Sequence, residues 1–246
     1  MILLLLATAA AAQAGPADTR IARFERCAAL AERDPAAART EAGRWQASGG
    51  GHYGRACAGL AFAAEKGWAA AAAEFEAAAR AAQTARSDRG ASYWAQAGNA
   101  WLAAGDAQKA RTALDSALTT GTLNGLALGE AQLDHARALV AEGQLDAART
   151  DIDLALATAS DDPLAWLLSA TLARRTGDLR RAKTDIGEAL KRSADDAAVQ
   201  LEAGNIAALG GDEAGAQAAW GTAARLAPTS DAGKNAVAAL KQFDAK

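Results

Sequence analysis

The sequence predicts an all-α protein, and three observations carry that reading. Val and Ile together number only eight in 246 residues, whereas sheets are built largely from β-branched and aromatic side chains. Alanine makes up about thirty per cent of the chain, so most of its 51% hydrophobic content is small and its helices must pack through close approach. Gly143, Gly177 and Gly211 recur at a spacing of 34, the period of a repeated helical unit. Charge narrows the function further. Lys and Arg number 26 against 29 Asp and Glu, a net charge of −3, with both signs interspersed. Nucleic-acid binders usually carry a basic stripe, and this chain has none, so a nucleic-acid partner is not expected.

In chain order, the first segment is MILLLLATAAAAQAG. An apolar run from Ile2 to Ala12 precedes the small-x-small triplet Ala12-Gln13-Ala14, which reads as a secretory leader over residues 1–14 cleaved after Ala14. A buried first helix is the other reading. The run is too short for a membrane span, which takes roughly 20 apolar residues. Residues 15–50 read as a divergent helical cap, IARFERCAALAERD and PAAARTEAGRWQAS. Pro35 suits the first turn of the second helix, and Gly49-Gly50-Gly51 breaks the chain after it.

Residues 51–228 carry the repeat. The step that relates the three glycines also relates Ala148, Ala182 and Ala216, then Ala155, Ala189 and Ala223, and also Ala136, Ala170 and Gly204. Each unit reads as helix, Gly turn, helix. The turn Gly supplies the left-handed conformation that ends the first helix, and Pro163 and Pro228 sit at unit boundaries. SYWAQAGNAWLAAGDAQKARTALDSAL repeats the order upstream with four extra residues, which fall in TTGTLNGLAL as a loop or an overlong helix start. CAGLAFAAEKGWAAAAAEFEAAA fits before that if Lys66 takes the turn slot, with Gly59 and Phe62 matching Gly98 and Trp101. Trp94, Trp101, Trp166 and Trp220 are expected as core fillers. Residues 229–246 read as a capping helix with Val237, Leu240 and Phe243 inward and Lys234, Lys241 and Asp244 outward.

A helix-turn-helix unit of this period resembles the tetratricopeptide repeat family. The second unit matches best, with Trp94, Gly98, Trp101, Ala110, Leu114 and Ala117. Ala182, Ile186 and Ala189 follow the pattern in the fourth unit, and Ala216, Trp220, Ala223 and Pro228 in the fifth. Gln132 and Gln200 depart from it at the first-helix aromatic, and Glu213 replaces an apolar residue. The resemblance covers about Gly51 to Pro228 and implies a right-handed α-solenoid of about five repeats, of the exported, alanine-rich bacterial kind. Its motif residues are packing residues, so they define a fold more than a function.

Catalytic chemistry finds little support. His52 and His135 are isolated, and neither has a nucleophile at motif spacing. No zinc pattern, phosphate loop or cofactor motif is present. The Asp pairs at 161–162 and 195–196 lie between helices, where N-cap roles are expected. The chain is therefore read as no enzyme, with no cofactor and no metal.

The resemblance implies instead a concave face lined by the first helix of each unit. Carried over residue by residue, that face holds Gln96, Asn99, Glu130, Asp134, Arg137, Thr171, Arg174, Arg175, Glu202 and Asn205, with Leu133, Leu167 and Leu201 as an apolar stripe. A protein or peptide partner fits such a surface. The Lys/Asn pair with which some members grip a carboxyl terminus is absent. Cys27 and Cys57 fall in helices expected to lie side by side. In an exported chain a disulfide between them is expected, and two separate buried thiols are the alternative. The reading is a periplasmic protein- or peptide-binding scaffold. Its rival is a structural module that associates with copies of itself and has no peptide groove.

Overall fold

The computed structural model describes residues 16–244, which form an all-helical repeat solenoid. The leader expected over residues 1–14, with its cleavage after Ala14, lies outside the described residues. The helices are α1 (Pro16–Arg33), α2 (Pro35–Ala47), α3 (Gly51–Ala64), α4 (Trp68–Thr84), α5 (Gly90–Ala103), α6 (Ala107–Thr119) and α7 (Gly125–Ala141). They continue with α8 (Leu145–Thr158), α9 (Pro163–Arg175), α10 (Leu179–Arg192), α11 (Ala197–Leu209), α12 (Glu213–Leu226) and α13 (Asp231–Asp244). The described residues divide into two compact units between Tyr93 and Trp94, within α5 and inside the segment expected as one array.

Local chemistry sets each turn. Gly105, Gly143, Gly177 and Gly211 all have φ between 78 and 84°, the left-handed conformation that costs an ordinary residue about 1 kcal/mol or more. Lys66 occupies the same slot with φ 59°. The residue after each turn glycine then opens the second helix. Asp106, Asp178 and Asp212 each accept a backbone N–H three residues on, whereas Gln144 makes no such cap. Asp162 and Asp196 cap α9 and α11, which gives the inter-helix Asp pairs the expected role. The four surplus residues form a loop before α7, and α7 is also longer than its counterparts α9 and α11.

Within each helical pair, a small residue in the first helix meets a bulky one sixteen positions on in the second. Gly59 faces Phe75, whose ring would lie 2.7 Å from an added Cβ. Gly98 faces Leu114 and Gly204 faces Trp220, with no room for a Cβ at either position. Ala136 with Ile152, and Ala170 with Ile186, share buried clusters in the intervening pairs. Close approach through small residues and dense filling by the partner is how an alanine-rich chain reaches interior packing density.

In the first unit, α1, α2 and α3 enclose a core of Cys27, Ala31, Ala38, Ala42, Trp45 and Cys57. Cys27 and Cys57 form a disulfide between α1 and α3, with Cα atoms 5.9 Å apart. His52 is buried in α3, with Nδ1 3.2 Å from the Tyr93 hydroxyl. Burial, and then Arg89 and Arg20, hold its pKa below the ordinary value, and burial pushes Tyr93 up to about 12.

The structure corrects two packing expectations. Of the four tryptophans expected as core fillers, only Trp220 is buried. Trp94, Trp101 and Trp166 are half-buried; Lys109 covers the Trp101 ring and Arg192 the Trp166 ring. In α13, Val237 faces solvent, and Ala236, Leu240 and Phe243 pack against Trp220 instead. The inward face of α13 therefore begins one residue earlier than expected. Lys234 and Lys241 are exposed as anticipated, while the Asp244 side chain lies outside the described residues.

Candidate functional site

The second unit contains α7, α9 and α11, the first helices of successive repeats, and these helices carry most of the residues assigned from the sequence. Asn99, Glu130, Leu133, Asp134 and Arg137 come together with Leu164 around one depression between α5, α7 and α9. Arg137 donates to Asp134 at 2.7 Å, and Asn99 Nδ2 donates to the other carboxylate oxygen at 2.8 Å. Arg137 also borders a second cavity, of about 130 Å3, between α7 and α9. Ala136 and Val140 of α7, Ile152 of α8, and Leu168 and Leu172 of α9 make its walls; Thr171 and Arg175 complete it. The slot is apolar inside and carries two guanidinium groups at its rim.

The remaining assigned residues behave differently. Arg174 donates to Glu202 at 2.6 Å, and Glu202 is only 6% exposed. Asn205 donates to the same carboxylate, and its own carbonyl oxygen accepts from Trp220 Nε1 at 3.0 Å. Arg174, Glu202 and Asn205 thus knit α9, α11 and α12 together. The expected apolar stripe of Leu133, Leu167 and Leu201 is also mostly internal. Leu133 is 1% exposed, and Leu167 and Leu201 pack against buried clusters. They are scaffold residues, with Leu133 contributing only the floor of the first depression. Gln96 is exposed on α5.

Sequence reading missed Val140, Ile152, Leu164, Leu168 and Leu172. A signal for part of the set was present: Leu164, Leu168, Thr171 and Arg175 follow one another at the i, i+4, i+7, i+11 spacing of a single helix face. The stripe was instead sought in leucines that recur every 34 residues, and recurrence at that period marks what holds the repeats together.

A partly buried polar cluster supports the back of α7. His135 Nδ1 lies 2.5 Å from Asp151 Oδ2 of α8, and Nε2 lies 3.2 Å from Asp115 Oδ1 of α6. The hydrogen bond to Asp151 raises the pKa of His135, against the effect of burial, and the charges of Asp151 and Asp115 add to the rise. Arg111 of α6 lies 3.0 Å from Glu142 beside this cluster. Among the described residues, no group of three or more His, Cys, Asp or Glu is arranged to hold a metal ion, and no helix is long and apolar enough to cross a membrane.

No family model and no curated protein matches this sequence. Solved structures do match its fold. PilF of Pseudomonas aeruginosa is similar at a TM-score of 0.73 and 15% identity, over 90% of this chain and 98% of that one. BtubC of P. vanneervenii is similar at 0.62 and 16%, over 87% and 91%. YrrB, described as a TPR protein with an unusual peptide-binding site, is similar at 0.54 and 17%, over 74% and 90%. The fold is that of the tetratricopeptide repeat proteins.

Proposed function

We propose that the chain is a non-enzymatic scaffold that binds a protein or peptide on the α5–α7–α9 face, in the periplasm. The observation that carries this reading is the slot between α7 and α9, where Val140 and Leu168 are only half-buried, over a buried Leu172, beside Arg137 and Arg175. Apolar surface left open in a groove, with a few polar groups at its rim, is the usual form of a recognition site. YrrB, a protein of the same fold, has a peptide-binding site, which supports a peptide as the ligand class here. The Cys27–Cys57 disulfide supports an oxidising compartment.

The test is affinity capture from envelope extract, with wild-type protein and an R175E variant as baits. Arg137 and Arg174 are left intact because each neutralises a carboxylate that is largely buried. Partner recovery should fall with the variant while its melting curve stays within about 0.5 kcal/mol of wild type in stability. Equal recovery would move binding off this face. Light scattering that found a stable dimer, lost in the same variant, would favour self-association. Intact mass of protein from its own host should show cleavage after Ala14 and no free thiol; a full-length chain with two free thiols would overturn the compartment.

A further inference from the structure

The charges on the α7–α9 face are not equally committed. Asp134 is satisfied by Arg137 and Asn99, and Glu202 by Arg174. Glu130 and Arg175 are exposed, and neither has an ion-pair partner among the described residues. They lie at opposite ends of one continuous surface. Glu130 borders the depression with Leu164, Arg175 borders the apolar slot, and Arg137 belongs to both. Arg175 corresponds by the repeat to Ala141 of α7, eleven residues beyond Glu130. The two free charges are therefore about 16 Å apart along the helix axis. An extended segment of about five residues spans that distance.

The equivalent positions one repeat later are filled differently. The repeat places Arg174 where α7 has Val140, and Glu202 where α9 has Leu168. The apolar pair that opens the slot between α7 and α9 is thus replaced by an ion pair that closes the space between α9 and α11. The open surface is a local departure from the repeat.

Resting on the reading of this face as the docking site, we propose that its occupant is a short extended segment with opposite charges at its two ends. A bulky apolar side chain between them seats in the Val140–Leu168–Leu172 slot. A carboxylate of the segment meets Arg175, and a cation of the segment meets Glu130. Charge complementarity at both ends sets the orientation, and the slot supplies the anchor. A segment acidic or basic at both ends would set one like-charge pair against the protein.

The test uses three fluorescein-labelled peptides that share a central Leu: one with Lys and Glu at its two ends, one with Glu at both, and one with Lys at both. Because a peptide can seat in either chain direction, composition of the ends is what the experiment reads. Wild-type protein should bind the Lys/Glu peptide about fivefold more tightly than either other peptide, the scale of one exposed ion pair at each end. E130K should shift the preference to the doubly acidic peptide and R175E to the doubly basic one. V140R/L168E, which recreates the closed junction, should lose all three. If all three peptides bind wild type equally and V140R/L168E abolishes binding, the charge rule is overturned while the docking face stands. If the Lys/Glu peptide does not bind at about 1 mM, or binds V140R/L168E unchanged, the proposal is overturned outright.

Discussion

The α7–α9 and α9–α11 junctions are built on one repeat, with the same small residues, the same left-handed turns and the same helix pairing, yet they present different surfaces. At the first, Val140 and Leu168 leave an apolar slot that solvent enters. At the second, Arg174 and Glu202 occupy the equivalent positions and fill the space with an ion pair whose carboxylate is buried and whose guanidinium is partly exposed. Residues that obey the period hold neighbouring units together, and the docking face proposed above lies where the period is broken.

Breaking the closed junction should have the largest effect. Arg174→Ala leaves Glu202 with a charge buried and only Asn205 beside it, and should destabilise the second unit by about 2 kcal/mol, somewhat below the usual cost of orphaning a fully buried partner because Arg174 is itself partly exposed. R174V/E202L, which copies the open junction, should recover most of that loss, since apolar replacement of a buried pair is often neutral. Denaturant melts of the three proteins measure both. A double variant as unstable as the single one would show that the pair is needed for more than its own neutralisation.

The two junctions should also differ in their response to pH. The open junction rests on α7, which is tied to α6 and α8 through His135, Asp115 and Asp151. The pKa of His135 is raised in the folded state, so its contribution is fully present below the unfolded value of about 6.5 and is lost as pH rises through the higher folded value. His52, whose pKa is lowered, acts with the opposite sign in the first unit. Hydrogen exchange in α7 and α8 should therefore quicken between neutral and mildly alkaline pH, relative to α10 and α11. H135Q should abolish that difference, and its persistence would remove His135 as the cause.

A smaller effect distinguishes the turns. Gln144, which leads into α8 beneath the open junction, lacks the side-chain cap that its counterparts Asp178 and Asp212 provide. Gln144→Asp should stabilise the second unit by about 0.5–1 kcal/mol. The same substitution strategy has no room to act at Asp178 or Asp212, which already cap.

The fold was readable because its determinants are local and repeated. A turn glycine needs its left-handed φ wherever it occurs, and a small residue facing a large one sixteen positions later leaves the same trace in every unit. Lys66 could be placed in a turn slot for that reason, without being glycine. The candidate site is only partly legible. Asn99, Glu130, Asp134, Arg137, Thr171 and Arg175, assigned from the face they occupy, line the two cavities, whereas Arg174 and Glu202, grouped with them, bind each other. One sequence does not say which of two adjacent arginines, Arg174 or Arg175, will reach across to a carboxylate 28 positions later. That choice depends on how one helix is rotated against the next. The apolar walls were missed because leucines at the repeat period drew attention to Leu133, Leu167 and Leu201, which the packing buries or half-buries. In α13 the expected inward Leu240 and Phe243 do pack inward, and only Val237 is displaced, by Ala236, which shares the Trp220 cluster.

The most direct test of the account is a methyl NMR titration of the full chain with the Lys/Leu/Glu peptide. Seating in the slot should give saturable shifts concentrated at Val140, Ile152, Leu168 and Leu172, with Ile186 and Ile206, which border a separate cavity between α10, α11 and α12, unmoved. Shifts centred on Ile186 and Ile206, or spread evenly over both junctions, would contradict it.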